Sequence, residues 1–275
     1  MRCHYPVNIN GMSMPCNHCA ACYKNHSDDW FSRLTIEFYN SRDAAFLTLD
    51  YAPEFVPINE QSGLLSLKKE DFQLFMKRLR QKVPAGTLRY FAVGEYGSQS
   101  HRPHYHAIMF GIDKYQCWEA ARPSWRKMGK DIGHVHVGNV TPASIRYVCS
   151  YITARRHHQF NKTLAEPPFS LQSSNPGIGF QYMFNPEIIR YHKEDIERRF
   201  VQINGASLHM PKFYSSRIYN KTDNDILLER ELPDKFAERY SSPDATDEQN
   251  RQSINSAKRE FNRKYIERQI KMKQH

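Results

Sequence analysis

Apolar positions along this chain recur at two periods, and the switches between them mark out elements. In "SDDWFSRLTIEFYN", Trp30, Phe31, Leu34 and Phe38 follow helical spacing behind Ser27, which suits an N-cap with acids in the first turn. "AFLTLDY", residues 45–51, is short, apolar and strand-like. "KKEDFQLFMKRLRQKV" puts Phe72, Phe75, Met76, Leu79 and Val83 on one helical face. "TLRYFAVGEYG" predicts a strand ending at glycine, and "PHYHAIMFG" the next strand. "YQCWEAARPSWRKMG" predicts a helix weakened or kinked at Pro123. "GHVHVGNV" then predicts a strand, and "TPASIRYVCSYITARR" a helix capped by Thr141 with Pro142 in its first position.

From residue 45 the order is β-α-β-β-α-β followed by a helix, the split-βαβ, ferredoxin- or RRM-like pattern. The expected fold is α+β: an antiparallel sheet with helices on one face and the other face free for a site. A Cys-rich segment precedes it and a helical extension follows. Beyond about residue 157 the pattern fades. "AEPPFSLQSSNPGIGF" has the composition of a loop, "NPEIIRYHKEDIERRF" looks helical, and "SSPDATDEQN" resembles a linker before a basic helical or partly disordered tail. The expected units are a Cys-rich segment over 1–26, a main domain over 27–160, an accessory extension over 161–240 and the tail over 241–275.

Charge adds a partner class. The chain has 39 Lys+Arg against 29 Asp+Glu, net +10, and is therefore drawn to polyanions, of which nucleic acid is the commonest. Aromatic residues at 13% add rings that can stack on unpaired bases. No uncharged apolar run is long enough to span a membrane, and the N-terminus lacks the apolar core of a signal peptide. The six cysteines are therefore expected to be reduced thiols in a cytoplasm.

Strand alternation puts His104 and His106 on one face. A hairpin centred between Gln99 and Ser100 sets Glu95 opposite His104. Two imidazoles and one carboxylate with open positions suit a catalytic divalent ion, Mn²⁺ or Mg²⁺, the plainer alternative being two half-exposed histidines. His134 and His136 share that spacing but lack such an acid, and are expected to be surface or DNA-contacting groups. In "SIRYVCSYITAR", Ile145, Val148, Cys149 and Ile152 form the apolar stripe. Tyr147 and Tyr151 stack on a flank roughly opposite it, continued by Arg155. They are either amphipathic surface tyrosines or nucleophiles presented to the metal face. A metal, a hydroxyl nucleophile and a basic groove together make phosphoryl transfer on DNA plausible. Cys16, Cys19 and Cys22, with Cys3 upstream, are candidate thiolates for structural zinc or another soft metal; His4, His18 or His26 can substitute, and buried free thiols are the alternative. Cys149 is expected in the core.

"FLTLDY", "GEYG…HRPHYHAIMFG" and "YVCSYITAR" together resemble the three-motif signature of HUH rolling-circle replication initiators, in particular those of small single-stranded DNA phages of the microvirus, gokushovirus-like type. "PCNHCAAC" and "NPGIGF" also resemble that group, and the likeness covers roughly Cys3 to Tyr219. The resemblance implies a DNA endonuclease and strand transferase acting in a bacterial host on single-stranded origin DNA. His104, His106 and Glu95 would be its metal ligands, and one tyrosine would form a 5′-phosphotyrosine while the other serves strand closure. Where the family often carries a lysine one turn beyond the tyrosine, this chain has Arg155. Host replicative helicase and polymerase are the further partners it implies. Two other readings compete: a non-catalytic RRM-like nucleic-acid binder, and an HUH transposase or relaxase.

Overall fold

The structure is a computed structural model and describes residues 3–9, 12–84, 86, 88–97, 99–154, 165–203, 205–220, 223–224, 246–253 and 256. A short hairpin, β1 (Val7–Ile9) with β2 (Met12–Met14), leads into α1 (Ala20–Asn40). There follow β3 (Ala44–Asp50), α2 (Lys69–Arg80), β4 (Arg89–Tyr96), β5 (Pro103–Phe110) and α3 (Lys114–Ala121). A second small hairpin, β6 (Arg126–Lys127) with β7 (Lys130–Asp131), precedes β8 (Val135–Asn139) and α4 (Pro142–Ala154). The chain continues through β9 (Phe169–Gln172), α5 (Pro186–Glu194), the hairpin β10 (Phe200–Ile203) and β11 (Ala206–His209), and α6 (Lys212–Ile218).

The main sheet runs β8-β3-β5-β4-β9 with every neighbour antiparallel. Its first four strands carry the split-βαβ order expected from the sequence. The expectation of one free face does not hold. Ala45, Leu47, Leu49, Ala92, Tyr105, Ala107 and Met109 bury one face under α2 and α3, with Phe72, Phe75, Met76 and Leu79 from α2. Phe91, Val93, Ile108 and Phe110 bury the other under Trp30 and Leu34 of α1 and Ile145, Val148, Cys149 and Ile152 of α4. The cause is in the strands: β4 and β5 are apolar on both sides, and every Å² of such surface left in water costs about 25 cal/mol.

Four local expectations are corrected. α1 starts at Ala20, not at Ser27, and runs through the boundary expected at 26/27. Ser27 lies within it, buried, donating to the Cys149 carbonyl at 2.9 Å. The helix expected over 115–129 stops at Ala121; Pro123 lies in a 3₁₀ turn, and Met128 and Gly129 at positive φ turn the β6–β7 hairpin. The stretch expected as loop contains β9, an edge strand on β4. The helix expected over 185–200 ends at Glu194, and Phe200 opens β10. Of the 241–275 tail, residues 246–253 and 256 are described, and 247–253 are helical.

The extension is tied to the sheet by one buried ion pair. Glu37 of α1 is fully buried and pairs with Arg89 of β4. Its second oxygen accepts from the Gly179 N–H at 2.6 Å, and Arg89 donates to the carbonyls of Pro176 and Gly177 at 2.9 and 3.0 Å. Glu37→Ala would strand a guanidinium and an N–H without their anion. It is expected to cost about 3–5 kcal/mol in a urea-unfolding measurement, whereas a loss under about 1 kcal/mol would mean that water replaces the carboxylate.

Candidate metal and tyrosine site

The β4–β5 hairpin closes through Gly97 N–H to Arg102 O at 3.0 Å and His101 N–H to Gly97 O at 2.9 Å. That turn sets Glu95 opposite His104, and Val93 opposite His106, as the hairpin centre predicts. All three polar groups lie on the face shared with Ile108 and Phe110, at the end that α1 and α4 leave open. Their ligand atoms fall within 4.8 Å of one another. Glu95 Oε1 is 2.5 Å from His104 Nε2 and 3.3 Å from His106 Nε2.

The outer nitrogens explain the geometry. His104 Nδ1 lies 3.2 Å from the Arg102 carbonyl, which can only accept, so Nδ1 carries a proton. His106 Nδ1 lies 3.0 Å from Thr48 Oγ1. His106 Nε2 is buried and makes no hydrogen bond despite its nearness to Glu95. An unsatisfied buried nitrogen costs about 1–3 kcal/mol. A lone pair there, facing a carboxylate, calls for a cation between them. Burial opposes charge at both Glu95 and His104, yet their mutual hydrogen bond wins: the carboxyl is held below its usual range and the imidazole above its own. The donor set therefore fits a divalent cation with open positions.

Helix α4 approaches from the same side. Thr141 Oγ1 accepts from Ser144 N–H at 3.1 Å, which caps it as expected. Ile145, Val148, Cys149 and Ile152 are buried, which leaves Tyr147 46% exposed and Tyr151 half-buried. The Tyr151 ring stacks on His106 at 5.5 Å and 12°, and Tyr147 meets the same imidazole edge-on at 5.3 Å. The two phenol hydroxyls are hydrogen-bonded to each other. Burial, the Tyr147 hydroxyl and Glu95 all push the Tyr151 phenol far above its usual pKa. α1 braces this helix through an Asp28–Arg146 ion pair at 2.9 Å, and Arg146 also sits over Phe31. Arg155 lies outside the described residues.

His134 and His136 are exposed on β8 and outside the metal-like cluster. Sequence reasoning missed Thr48 and Asp50. They are polar positions alternating in an apolar strand, opposite His106 and His104 respectively. Asp50 Oδ1 accepts from the His134 N–H at 2.9 Å.

A second cluster gathers Cys3, Cys16, Cys19 and Cys22 within 4.8 Å, because the β1–β2 hairpin returns Cys3 to the start of α1. Measured sulfur pairs are 3.5, 3.8 and 4.0 Å apart. Tetrahedral thiolates at a Zn–S distance of about 2.3 Å would lie about 3.8 Å apart. His4 and His18 contribute backbone N–H groups to Cys19 and Cys16 at 3.4 and 3.5 Å. Burial raises Cys19, but the His4 and Cys22 N–H groups and neighbouring thiols outweigh it and bring it to about 5. Burial and its sulfur neighbours push Cys22 up to about 12. Cys117 and Cys149 are core residues.

Residues 44–156 match the family model of replication-associated proteins of the ORF2 type. The chain is 29% identical over 259 residues to Replication-associated protein ORF2 of Spiroplasma virus 4, covering 86% of this chain and 78% of that protein. It is 26% identical over 226 residues to Replication-associated protein VP4 of Bdellovibrio phage phiMH2K, covering 75% and 67%. It is 22% identical over 257 residues to Replication-associated protein ORF4 of Chlamydia phage 1, covering 87% and 62%. No solved structure matches. The family match opens at the first residue of β3 and closes just past α4, so it holds the Glu–His–His cluster and the tyrosine helix alike. Over that span the chain belongs with the replication-associated proteins of small, microvirus-like phages.

Proposed function

We propose that the protein initiates rolling-circle replication of a small circular DNA genome by nicking the origin strand through a tyrosine and later rejoining it. The observation that carries this reading is the contact of both phenols with His106 of the Glu95–His104–His106 cluster. A divalent ion, Mg²⁺ or Mn²⁺, held by Glu95, His104 and His106, would supply polarisation of the scissile phosphate and make phenolate accessible. A tyrosine oxygen attacks phosphorus, the P–O3′ bond breaks, and the phenol proton passes to the departing 3′ oxygen. The products are a 5′-phosphotyrosine and a free 3′-OH primer. The ester conserves the phosphodiester bond energy, so closure by attack of a 3′-OH needs no nucleotide cofactor. Two tyrosines allow cleavage and closure to alternate without release. Arg155, one turn beyond Tyr151, is assigned to holding a non-bridging phosphate oxygen.

Zinc is the proposed occupant of the four-cysteine cluster. In this reading residues 27–160 hold the endonuclease, 1–26 the thiolate segment, 161–240 an accessory extension and 241–275 a basic tail. Its substrate is single-stranded origin DNA in the cytoplasm of a bacterial host, where replicative helicase and polymerase extend the primer. Among the described residues no helix is long and apolar enough to cross a membrane.

The test incubates the full chain with labelled single-stranded DNA carrying the origin, with and without Mn²⁺, on a denaturing gel. A metal-dependent covalent adduct, absent in His106→Ala and in Glu95→Ala, is expected. Binding without an adduct on any origin-derived oligonucleotide would instead favour a non-catalytic DNA binder.

A further inference from the structure

We propose that Thr48 is a positioning residue, the group that sets which nitrogen of His106 faces the metal; this rests on the metal-site reading above. Three rings surround the His106 imidazole. Phe46 stacks on it at 5.7 Å and 30°, Tyr151 at 5.5 Å and 12°, and Tyr147 meets it edge-on at 5.3 Å. Such packing fixes the plane of the ring. It does not distinguish the ring from its 180° flip, because nitrogen and carbon positions exchange with almost no change of shape. A flip about the Cβ–Cγ bond would put Cε1 where Nε2 now faces Glu95, and the cluster would lose one of its three donors.

Only a polar partner tells the two orientations apart. The Thr48 hydroxyl, 3.0 Å from Nδ1, supplies it. The register makes it possible: β3 sets Thr48 directly opposite His106 on the same face of the sheet. By accepting from Nδ1–H, the hydroxyl keeps the lone pair on Nε2, the buried atom left without a hydrogen-bond partner. His104 meets the same need through a main-chain carbonyl, that of Arg102 at 3.2 Å. Each histidine thus has an outer oxygen that fixes its tautomer, an arrangement whose loss costs metal sites roughly 10–100-fold in affinity. Thr48 is the side-chain member of the pair and so the one that mutation can remove.

The experiment titrates Mn²⁺ into the full chain by electron paramagnetic resonance, away from any DNA. Thr48→Val, which keeps the branched shape and deletes the hydroxyl, is expected to weaken Mn²⁺ binding about 10–100-fold. Thr48→Ser should restore it, and the melting midpoint should stay put in both. Should Thr48→Val fold poorly, Thr48→Ala deletes the hydroxyl without the branch and is read the same way. Wild-type affinity in a folded hydroxyl-less variant, or a serine variant as weak as the valine one, overturns the role of Thr48. His106→Ala is the separating control: if it binds Mn²⁺ like wild type, the metal-site reading falls, and this proposal with it.

Discussion

Replacing both phenols, Tyr147→Phe together with Tyr151→Phe, is expected to abolish the covalent protein–DNA adduct while leaving single-stranded DNA binding intact. The single variants should not be equal. Tyr151 is half-buried, its ring lies flat on His106, and Glu95 is among the groups that shift its phenol. Its oxygen is therefore held in one place, and restricted motion of a nucleophile beside the reacting centre lowers the barrier. Tyr147 is 46% exposed and touches the same imidazole only edge-on. It is free to reach a second strand once the first phenol is occupied. Tyr151→Phe is thus expected to slow the first cleavage by at least about tenfold, a barrier difference of about 1.4 kcal/mol. Tyr147→Phe should cleave once at near wild-type rate and then fail in the closure step on a nicked, primer-extended substrate. Single-turnover cleavage and circle formation, followed separately for each variant, give the answer. Rapid first cleavage by Tyr151→Phe with none by Tyr147→Phe would reverse the order. An adduct surviving in the double variant would remove tyrosine from the chemistry altogether.

How far the sequence reached depended on how local each feature was. The hairpin register that pairs Glu95 with His104 follows from a few residues on either side of one turn, and it was legible in full. The same holds for α4, whose Thr141 cap, Pro142 start and apolar stripe are all local. Ser27 shows the opposite case. With Asp28 and Asp29 behind it, it has every mark of an N-cap, yet it sits within α1 and donates to Cys149, 122 residues away in sequence. The helix starts earlier because Cys19 and Cys22 are drawn into a cluster with Cys3, a non-local demand that outweighs capping preference. β9 was hidden for a related reason: four residues after two prolines carry little pattern, and only pairing with β4 makes them a strand. Covering of the second sheet face was legible in principle, since β4 and β5 are apolar on both sides, a pattern that a water-facing sheet does not have. Thr48 could not be found by spacing, because its partner lies 58 residues on and the contact exists only once β3 and β5 pair.

Full-length protein is expected to carry one tightly held zinc, and stripping it should loosen the tyrosine helix without dissolving the sheet. Sulfurs 3.5–4.0 Å apart cannot all be thiolates unless a cation lies among them. Cys19 readily gives up its proton, whereas Cys22 keeps its own until a metal takes its place. The free energy of metal binding is therefore what holds this segment together, and in isolated zinc-finger peptides it amounts to about 10–16 kcal/mol. Here the loss would be far smaller, since the sheet and its two helical layers have their own cores. What the cluster anchors is the start of α1. Further along that helix, Ser27 grips the Cys149 carbonyl and Asp28 grips Arg146, so α1 is the brace on which α4 and its tyrosines rest. A weakening of about 2 kcal/mol would lower the melting midpoint by roughly 4–8 °C. Cys19→Ser is expected to reproduce the loss of both metal and midpoint, while Cys117→Ala should leave metal content unchanged. Elemental analysis of freshly purified protein, paired with calorimetry before and after chelation, decides it. Well under one soft metal ion per chain, or a midpoint indifferent to chelation, would mean that the four thiols are only packed and that α1 holds its position by apolar contact alone.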